Sequence, residues 1–168
     1  MTNIFKVEGK FKLKPLLISI VIPFIGSGLS ILISGVGNMG ELYSTLEKPP
    51  LSPPGWIFAV VWPILYLLMG IACYRVYMKE EITGKGSNSI FIYGIQLLLN
   101  LLWPILFFGL RLYGIAFIEL IILFIFIIIT TIKFYKVDKL AGLLLLPYLL
   151  WTIFAGYLNF GVWFLNEM

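Results

Sequence analysis

The chain contains no histidine. That absence removes His-ligated zinc, Ser-His-Asp and Cys-His catalysis, and His-ligated haem from the functions open to a single chain. Cysteine is nearly absent too. Cys73 stands alone, so no intrachain disulfide forms. Charge is scarce: Asp, Glu, Lys and Arg make up 12% of the residues, where a soluble domain carries roughly 25%. Acidic residues are the scarcer kind, 8 against 12 basic, for a net charge of +4. A basic balance can signal nucleic acid. Here the charges sit in short clusters between apolar runs, which suits anionic lipid headgroups instead, and no nucleic-acid partner is expected.

Apolar residues fill the space that charge leaves. They make up 61% of the 168 residues, more than a soluble fold of this size can hide, because a small domain keeps a large surface. A membrane-spanning helix needs about 20 apolar residues. Five stretches supply them, about 15–36, 56–78, 90–110, 112–133 and 140–165. Runs such as Leu120–Ile129 do not alternate in polarity, which argues against a transmembrane barrel. The expected fold is an all-α bundle of five transmembrane helices behind a basic tail, residues 1–14. The tail and first run have the outline of a cleaved signal peptide. The run is long for that role and no A-x-A site follows it, so the first helix is expected to stay.

Lysine and arginine set the expected orientation. The tail, the second loop with its borders and the fourth loop hold Lys6, Lys10, Lys12, Lys14, Arg75, Lys79, Lys85, Lys133, Lys136 and Lys139. The opposite side holds Lys48 and Arg111. The reading is N-terminus inside and C-terminus outside, in what is expected to be a prokaryotic cytoplasmic membrane. The first connection, about Gly37 to Gly55, carries Lys48-Pro49-Pro50 and Ser52-Pro53-Pro54-Gly55. It reads as a stiff, turn-rich cap.

Polar groups inside the spans are few and therefore informative. Glu119 is the only acidic residue near the middle of one. It is expected to face the bundle interior, either as a protonated group bonded to a neighbouring helix or as a ligand or proton contact. Asn100, Trp103 and Phe107 share a face of the third span, Trp62 and Tyr66 are four apart in the second, and Trp151, Ala155 and Asn159 repeat every four in the fifth. Ordinary packing and interfacial anchoring explain such stripes, and Trp56 and Trp163 near span ends suit that reading. Trp62, Trp103 and Trp151 lie deeper, where rigid rings would wall a flat aromatic ligand. Gly26, Ser30 and Ser34 form a small-xxx-small stripe in the first span, suited to close contact inside the bundle or at a dimer seam.

These residues carry a resemblance. Lys48-Pro49, Pro53-Pro54-Gly55-Trp56, Phe58, Val61-Trp62 and Leu65-Tyr66 are similar to the signature of the TspO/MBR family of tryptophan-rich sensory and translocator proteins. Asn100-Leu101-Leu102-Trp103 with Phe107-Phe108-Gly109 resembles that family's third helix. Leu143 to Trp151, then Ala155, Leu158-Asn159 and Leu165-Asn166, resembles its fifth. The likeness runs from about Leu42 to Asn166. It implies five helices, a homodimer, and a cavity under the first loop for porphyrin, haem or similar flat hydrophobic ligands, with no cofactor or metal required.

By that resemblance the ligand-binding positions are Tyr43, Trp62, Tyr66, Asn100, Trp103, Phe107, Glu119, Trp151 and Ala155. A binding protein for tetrapyrroles, acting as sensor, carrier or scavenger, is the leading reading. A light-dependent porphyrin-degrading enzyme is the second, with Trp62 and Trp151 as catalytic electron donors. A small-molecule exporter using Glu119 and a structural subunit are further alternatives. Two departures stand out. Leu42 precedes Tyr43 where many members have tryptophan, and no Lys or Arg follows Lys139, so the sterol-recognition pattern of the fifth helix is missing. A loose match at Leu68, Tyr74 and Lys79 is weak. Sterol is the less favoured ligand.

Overall fold

In a computed structural model, which describes residues 4–168, long apolar helices take up most of the chain. The elements are α1 (Leu13–Ser34), α2 (Met39–Thr45), α3 (Trp56–Thr83), α4 (Ser89–Pro104), a π-helical turn (Ile105–Gly109), α5 (Tyr113–Val137), α6 (Lys139–Leu144) and α7 (Leu146–Asn166). Five spans are long and apolar enough to cross a membrane: α1, α3, α4 with its π-turn, α5, and α6 with α7. Among the described residues no strand is present, only an isolated bridge between Val7 and Lys10. The fold is the all-α bundle that lipid demands, since every backbone group in the hydrocarbon must be bonded within its own span.

The burial pattern is that of a protein solvated by lipid. Leu32, Ile33, Phe91, Leu98, Leu150 and Phe164 point outward and are exposed. Polar side chains turn inward instead: Ser30, Gln96, Asn100, Glu119, Thr152 and Asn159 are all buried. The apolar core joins Leu65, Met69, Ala72 and Val76 of α3 to Leu97 of α4, Leu120, Leu123 and Ile127 of α5, and Tyr148 and Ala155 of α7.

The spans differ from the sequence reading mainly at their ends. α3 runs on past Met78 to Thr83, where Gly84 (φ 65°) ends it in a left-handed cap. The fourth connection shrinks to Asp138, which caps α6 by accepting from Ala141 N–H at 2.8 Å. The fifth span is not one helix. The chain turns at Leu145, and Pro147 opens α7 in its first turn, where its missing N–H is no loss. Pro104 likewise ends α4 and hands over to the π-turn.

Small residues set the helix spacing. A Cβ on Gly70 would lie 2.7 Å from Ile20 Cα, so α1 and α3 meet backbone to backbone there. Ser30 donates to Leu101 O at 2.5 Å, and Gly109 lies against Ser34. The Gly26-Ser30-Ser34 stripe therefore packs on α4 and its π-turn, inside the bundle.

Both ends are tied. At the lysine-rich end the segment before α1 folds back over the helices. Arg75 makes a two-pronged pair with Asp138 (2.9 and 2.8 Å) and donates to Ile4 O and Lys6 O. Val7 is fully buried beneath it, and Lys12–Glu81 and Lys79–Glu8 pairs flank it. At the other end the first loop is pinned to α7. Asn166 exchanges hydrogen bonds with Glu47 N and O (3.2 and 2.9 Å), and Tyr157 donates to Pro50 O at 2.8 Å.

Candidate ligand-binding site

The first loop forms a cap because its sequence caps a helix. Asn38 accepts from Glu41 N–H at 3.1 Å and starts α2. That helix places Tyr43 facing inward, with its ring edge-on to Phe58 of α3 at 5.2 Å. Lys48 locks the loop by donating to Tyr43 O, Ser44 O and Leu46 O (3.0, 3.2 and 2.8 Å). Its ammonium also lies over the Tyr43 ring at 5.1 Å. Phe58 in turn meets Trp151 of α7 edge-on at 5.7 Å. Tyr43, Phe58 and Trp151 make one aromatic wall under the cap.

Deeper in the bundle a second cluster joins three helices. Trp62 stacks on Tyr66 at 5.6 Å and meets Tyr148 edge-on at 6.4 Å. Tyr66 donates to Asn100 Oδ1 at 2.9 Å, and Asn100 Nδ2 donates to Tyr148 Oη at 2.9 Å. Gln96, one turn before Asn100, donates to the same oxygen at 2.8 Å. The network holds α3, α4 and α7 in register, as buried polar groups do when each finds a partner.

A third cluster lies nearer the cap. Trp103 stacks on Phe107 at 4.7 Å and donates through Nε1 to Asn159 Oδ1 at 2.9 Å. Asn159 Nδ2 donates to Tyr113 O at 2.9 Å. Phe107 stands in the π-turn, edge-on to Tyr113 at 5.0 Å.

Among the described residues four buried polar side chains have no hydrogen-bond partner, and one of them is Tyr93 of α4. Both carboxyl oxygens of Glu119, the indole N–H of Trp151 and the hydroxyl of Tyr43 are buried without a hydrogen-bond partner. Glu119 is 6% exposed, on the α5 face that packs into the bundle. Burial raises the Tyr43 hydroxyl above its ordinary value, so it stays a proton donor. Ser52 donates to Pro49 O at 2.7 Å. Unsatisfied buried groups are uncommon and costly, and a ligand is one of the few things that answers them. Trp151 and Tyr43 are two such donors in the aromatic wall under the cap, suited to the polar edge of a flat, mostly apolar molecule, and Glu119 is a further group on α5.

The sequence-predicted residues thus fall into groups. Trp62, Tyr66 and Asn100 are in direct contact or hydrogen-bonded. Trp103 and Phe107 are stacked. Tyr43 and Trp151 connect through Phe58. Ala155 lies buried one turn beyond Trp151, and Glu119 stands on α5 by itself. Sequence reasoning missed Gln96, Tyr148 and Phe58. A glutamine in an apolar run was a readable signal, but nothing local marks Tyr148 as the shared acceptor.

Residues 19–164 match the model of the TspO/MBR family. The chain is 41% identical to tryptophan-rich protein TspO of Chlorobaculum tepidum, over 74% of this chain and 78% of that one. It is 38% identical to protein CrtK of Rhodobacter capsulatus, over 76% and 79%. It is also 38% identical to the translocator protein of Bos taurus, over 75% of each. A match across most of the chain, on a five-span bundle with the cap-and-aromatic interior just described, makes this integral membrane protein a member of the TspO/MBR family.

Proposed function

We propose that the protein is a membrane-embedded binding protein for tetrapyrroles and similar flat hydrophobic ligands, acting as sensor, carrier or scavenger. The observation that carries this reading is a pair of unpartnered donors, the Trp151 indole N–H and the Tyr43 hydroxyl, buried in the edge-on aromatic wall beneath the first-loop cap, with the unpartnered Glu119 carboxyl on α5. Rings at these positions offer π-faces to a macrocycle, and the unpartnered groups suit its polar edge. The name translocator protein, carried by the Bos taurus relative, agrees with a carrier role. With no histidine, recognition of haem rests on stacking and polar contacts rather than on strong axial ligation.

One observation favours a second reading. Trp62 is stacked on Tyr66, whose hydroxyl leads through Asn100 to Tyr148. An oxidisable indole backed by a hydrogen-bonded phenol relay is a suitable electron donor to a photoexcited porphyrin. Titration of the purified protein with protoporphyrin IX, in the dark and under illumination, tests both readings. Saturable fluorescence change in the dark supports binding, and bleaching in light with a new product supports chemistry. Absence of saturable binding by the folded protein overturns both.

We also propose a prokaryotic cytoplasmic membrane as its location, and the lysine asymmetry supports an N-inside, C-outside orientation in it. The family resemblance supports a homodimer, which cross-linking in the membrane would test.

A further inference from the structure

Around the bundle each span packs on the next along most of its length, except at one seam. α3 packs on α1, α1 on α4 and its π-turn, α4 on α5, and α5 on α7. The fifth span meets α3 through α6, at the lysine-rich end. There the chain turns at Leu145 and Pro147 opens α7, and beyond that turn α7 draws away from α3. A seam therefore widens between α3 and α7 toward the cap.

Side chains span it. Phe58 of α3 meets Trp151 of α7 edge-on at 5.7 Å, and Trp62 meets Tyr148 edge-on at 6.4 Å. Phe58, Trp62 and Trp151 are only half-buried. From Trp151 the rings continue along α7. Phe154 lies 5.6 Å from Trp151, and Tyr157 stacks on Phe154 at 6.4 Å. Phe154 is half-buried and Tyr157 is exposed, so the row leads from the wall under the cap to the outer face of the bundle. Side chains at a surface change rotamer within nanoseconds, whereas parting two packed helices undoes a close-packed interface. A seam filled by rings is the easier one to open.

The first loop bolts this seam. Tyr157 donates to Pro50 O at 2.8 Å, and Pro49 is buried against Gly161, where a Cβ would overlap the proline ring. With Asn166 holding Glu47, the loop runs down the flank of α7 from Asn166 to Tyr157, about 13 Å along the helix axis. The turn that follows is strained. Leu51 has φ 65°, the left-handed region that a turn led by proline gives to glycine, and its side chain is 85% exposed. Strain of this kind gathers at ligand clamps and switch segments.

We propose that ligands enter and leave sideways, from the hydrocarbon of the cap-side leaflet through the α3–α7 seam, with Phe154 as the outer door and the Tyr157–Pro50 bond as its latch. The inference rests on the binding role proposed above and adds the route. A flat apolar ligand concentrates in the bilayer rather than in water, so a lateral door opens where the ligand is.

Stopped-flow fluorescence of protoporphyrin IX with the full chain in lipid nanodiscs tests the route. Tyr157→Phe keeps the ring and breaks the latch. Gly161→Ala wedges Pro49 off α7. Phe154→Ala removes the door ring between Trp151 and Tyr157. Each should speed association and dissociation several-fold and leave the dissociation constant nearly unchanged, because a gate acts on both directions alike. Helical content and melting temperature, measured alongside, show that each variant is folded. Rates unmoved in all the folded variants overturn the proposal. Faster exchange in the two latch variants alone, with Phe154→Ala unchanged, puts entry under the cap from water and overturns the seam. So does a weaker dissociation constant at an unchanged association rate, which makes these residues part of the site itself. Absence of saturable binding by the unaltered protein would sink the tetrapyrrole reading and the route with it, whereas normal binding at unmoved rates sinks the route alone.

Discussion

At the scale of single residues, the interior divides into groups that have partners and groups that do not, and the two kinds predict opposite responses to mutation. Trp62 is walled by Tyr66 and Tyr148. Stacking on one aromatic side chain is worth roughly 1–3 kcal/mol in nucleic-acid systems, and a porphyrin offers a larger face. Trp62→Ala should therefore weaken porphyrin affinity about tenfold or more, since ~1.4 kcal/mol is a factor of ten. Trp62→Phe should leave dark binding nearly unchanged. If the indole donates electrons, it should slow light-dependent loss of porphyrin, and the same holds for Trp151→Phe. Fluorescence titration and photobleaching rates read the two effects separately. Unchanged affinity in folded Trp62→Ala and Trp151→Ala would mean that these rings only pack. Glu119 behaves differently, because its carboxyl has no protein partner to lose. A buried unsatisfied group costs about 1–3 kcal/mol. Glu119→Leu should raise the melting temperature of the ligand-free protein while lowering porphyrin affinity. A drop in melting temperature instead would reveal that the carboxyl supports the fold.

At the scale of elements, the connections carry the specificity that the apolar runs lack. The five spans were legible because lipid permits few alternatives: any run of this length and composition must be helical. Their ends were less legible. α3 continues through Lys79-Glu80-Glu81 because the folded-back N-terminal segment pairs with it, through Lys79–Glu8 and Lys12–Glu81, a contact about seventy positions away in sequence that no local pattern shows. The break at Leu145 was hidden by Leu143–Leu146, a run without period. α2 was the reverse case: Asn38 with Glu41 three positions on is a capping signal that was present to be read. The site followed the same division. The four-residue spacing of Trp62 with Tyr66 was visible, whereas the cross-helix acceptor Tyr148 was not. The Arg75–Asp138 clasp yields an element-scale prediction. Burial alone would raise the Asp138 carboxyl. The hydrogen bonds from Arg75 and Ala141 N–H, with the charges of Arg75 and Lys79, outweigh it and hold the carboxyl below its ordinary 3.8. The stability it confers is therefore complete above that value and lost as pH falls through the lower folded one. Proteolysis of the N-terminal segment should be slow at neutral pH and accelerate only in strong acid. Asp138→Asn should make it fast at every pH, and indifference to that substitution would show that the segment is held by Val7 and its other contacts. Packing gives a second case: Gly70→Ala would push a methyl onto the backbone of α1 and should destabilise the protein by about 1–3 kcal/mol, measurable as a lower melting temperature.

At the scale of the whole molecule, charge and shape agree on two unlike ends. One end gathers the lysines and is closed by the folded-back N-terminal segment around Arg75. The other carries the cap, pinned to α7 by Glu47–Asn166 and Tyr157–Pro50, and its only basic residues are Lys48 and Arg111. Lys48 is held by three backbone carbonyls and belongs to the cap itself. With five alternating spans the second and fourth loops lie on the same side as the N-terminal tail, and these are the lysine-rich segments. The proposed N-inside orientation, which follows from the positive-inside rule, puts the cap outside. Ser44 on the cap and Ser87 in the second loop are both exposed, so a cysteine at either position can be reached from its own side only. The native Cys73 is buried and is best replaced by alanine first. In intact cells a membrane-impermeant thiol reagent should label Ser44→Cys and spare Ser87→Cys. Permeabilised cells should label both, which shows that each site is accessible. The opposite pattern in intact cells would invert the molecule and bring the cap, with any ligand entering beneath it, to the cytoplasmic side. Equal labelling before permeabilisation would mean that the lysine asymmetry is too weak to fix one orientation, and a pairing of oppositely inserted copies would then have to be tested by cross-linking the cap of one copy to the second loop of the other.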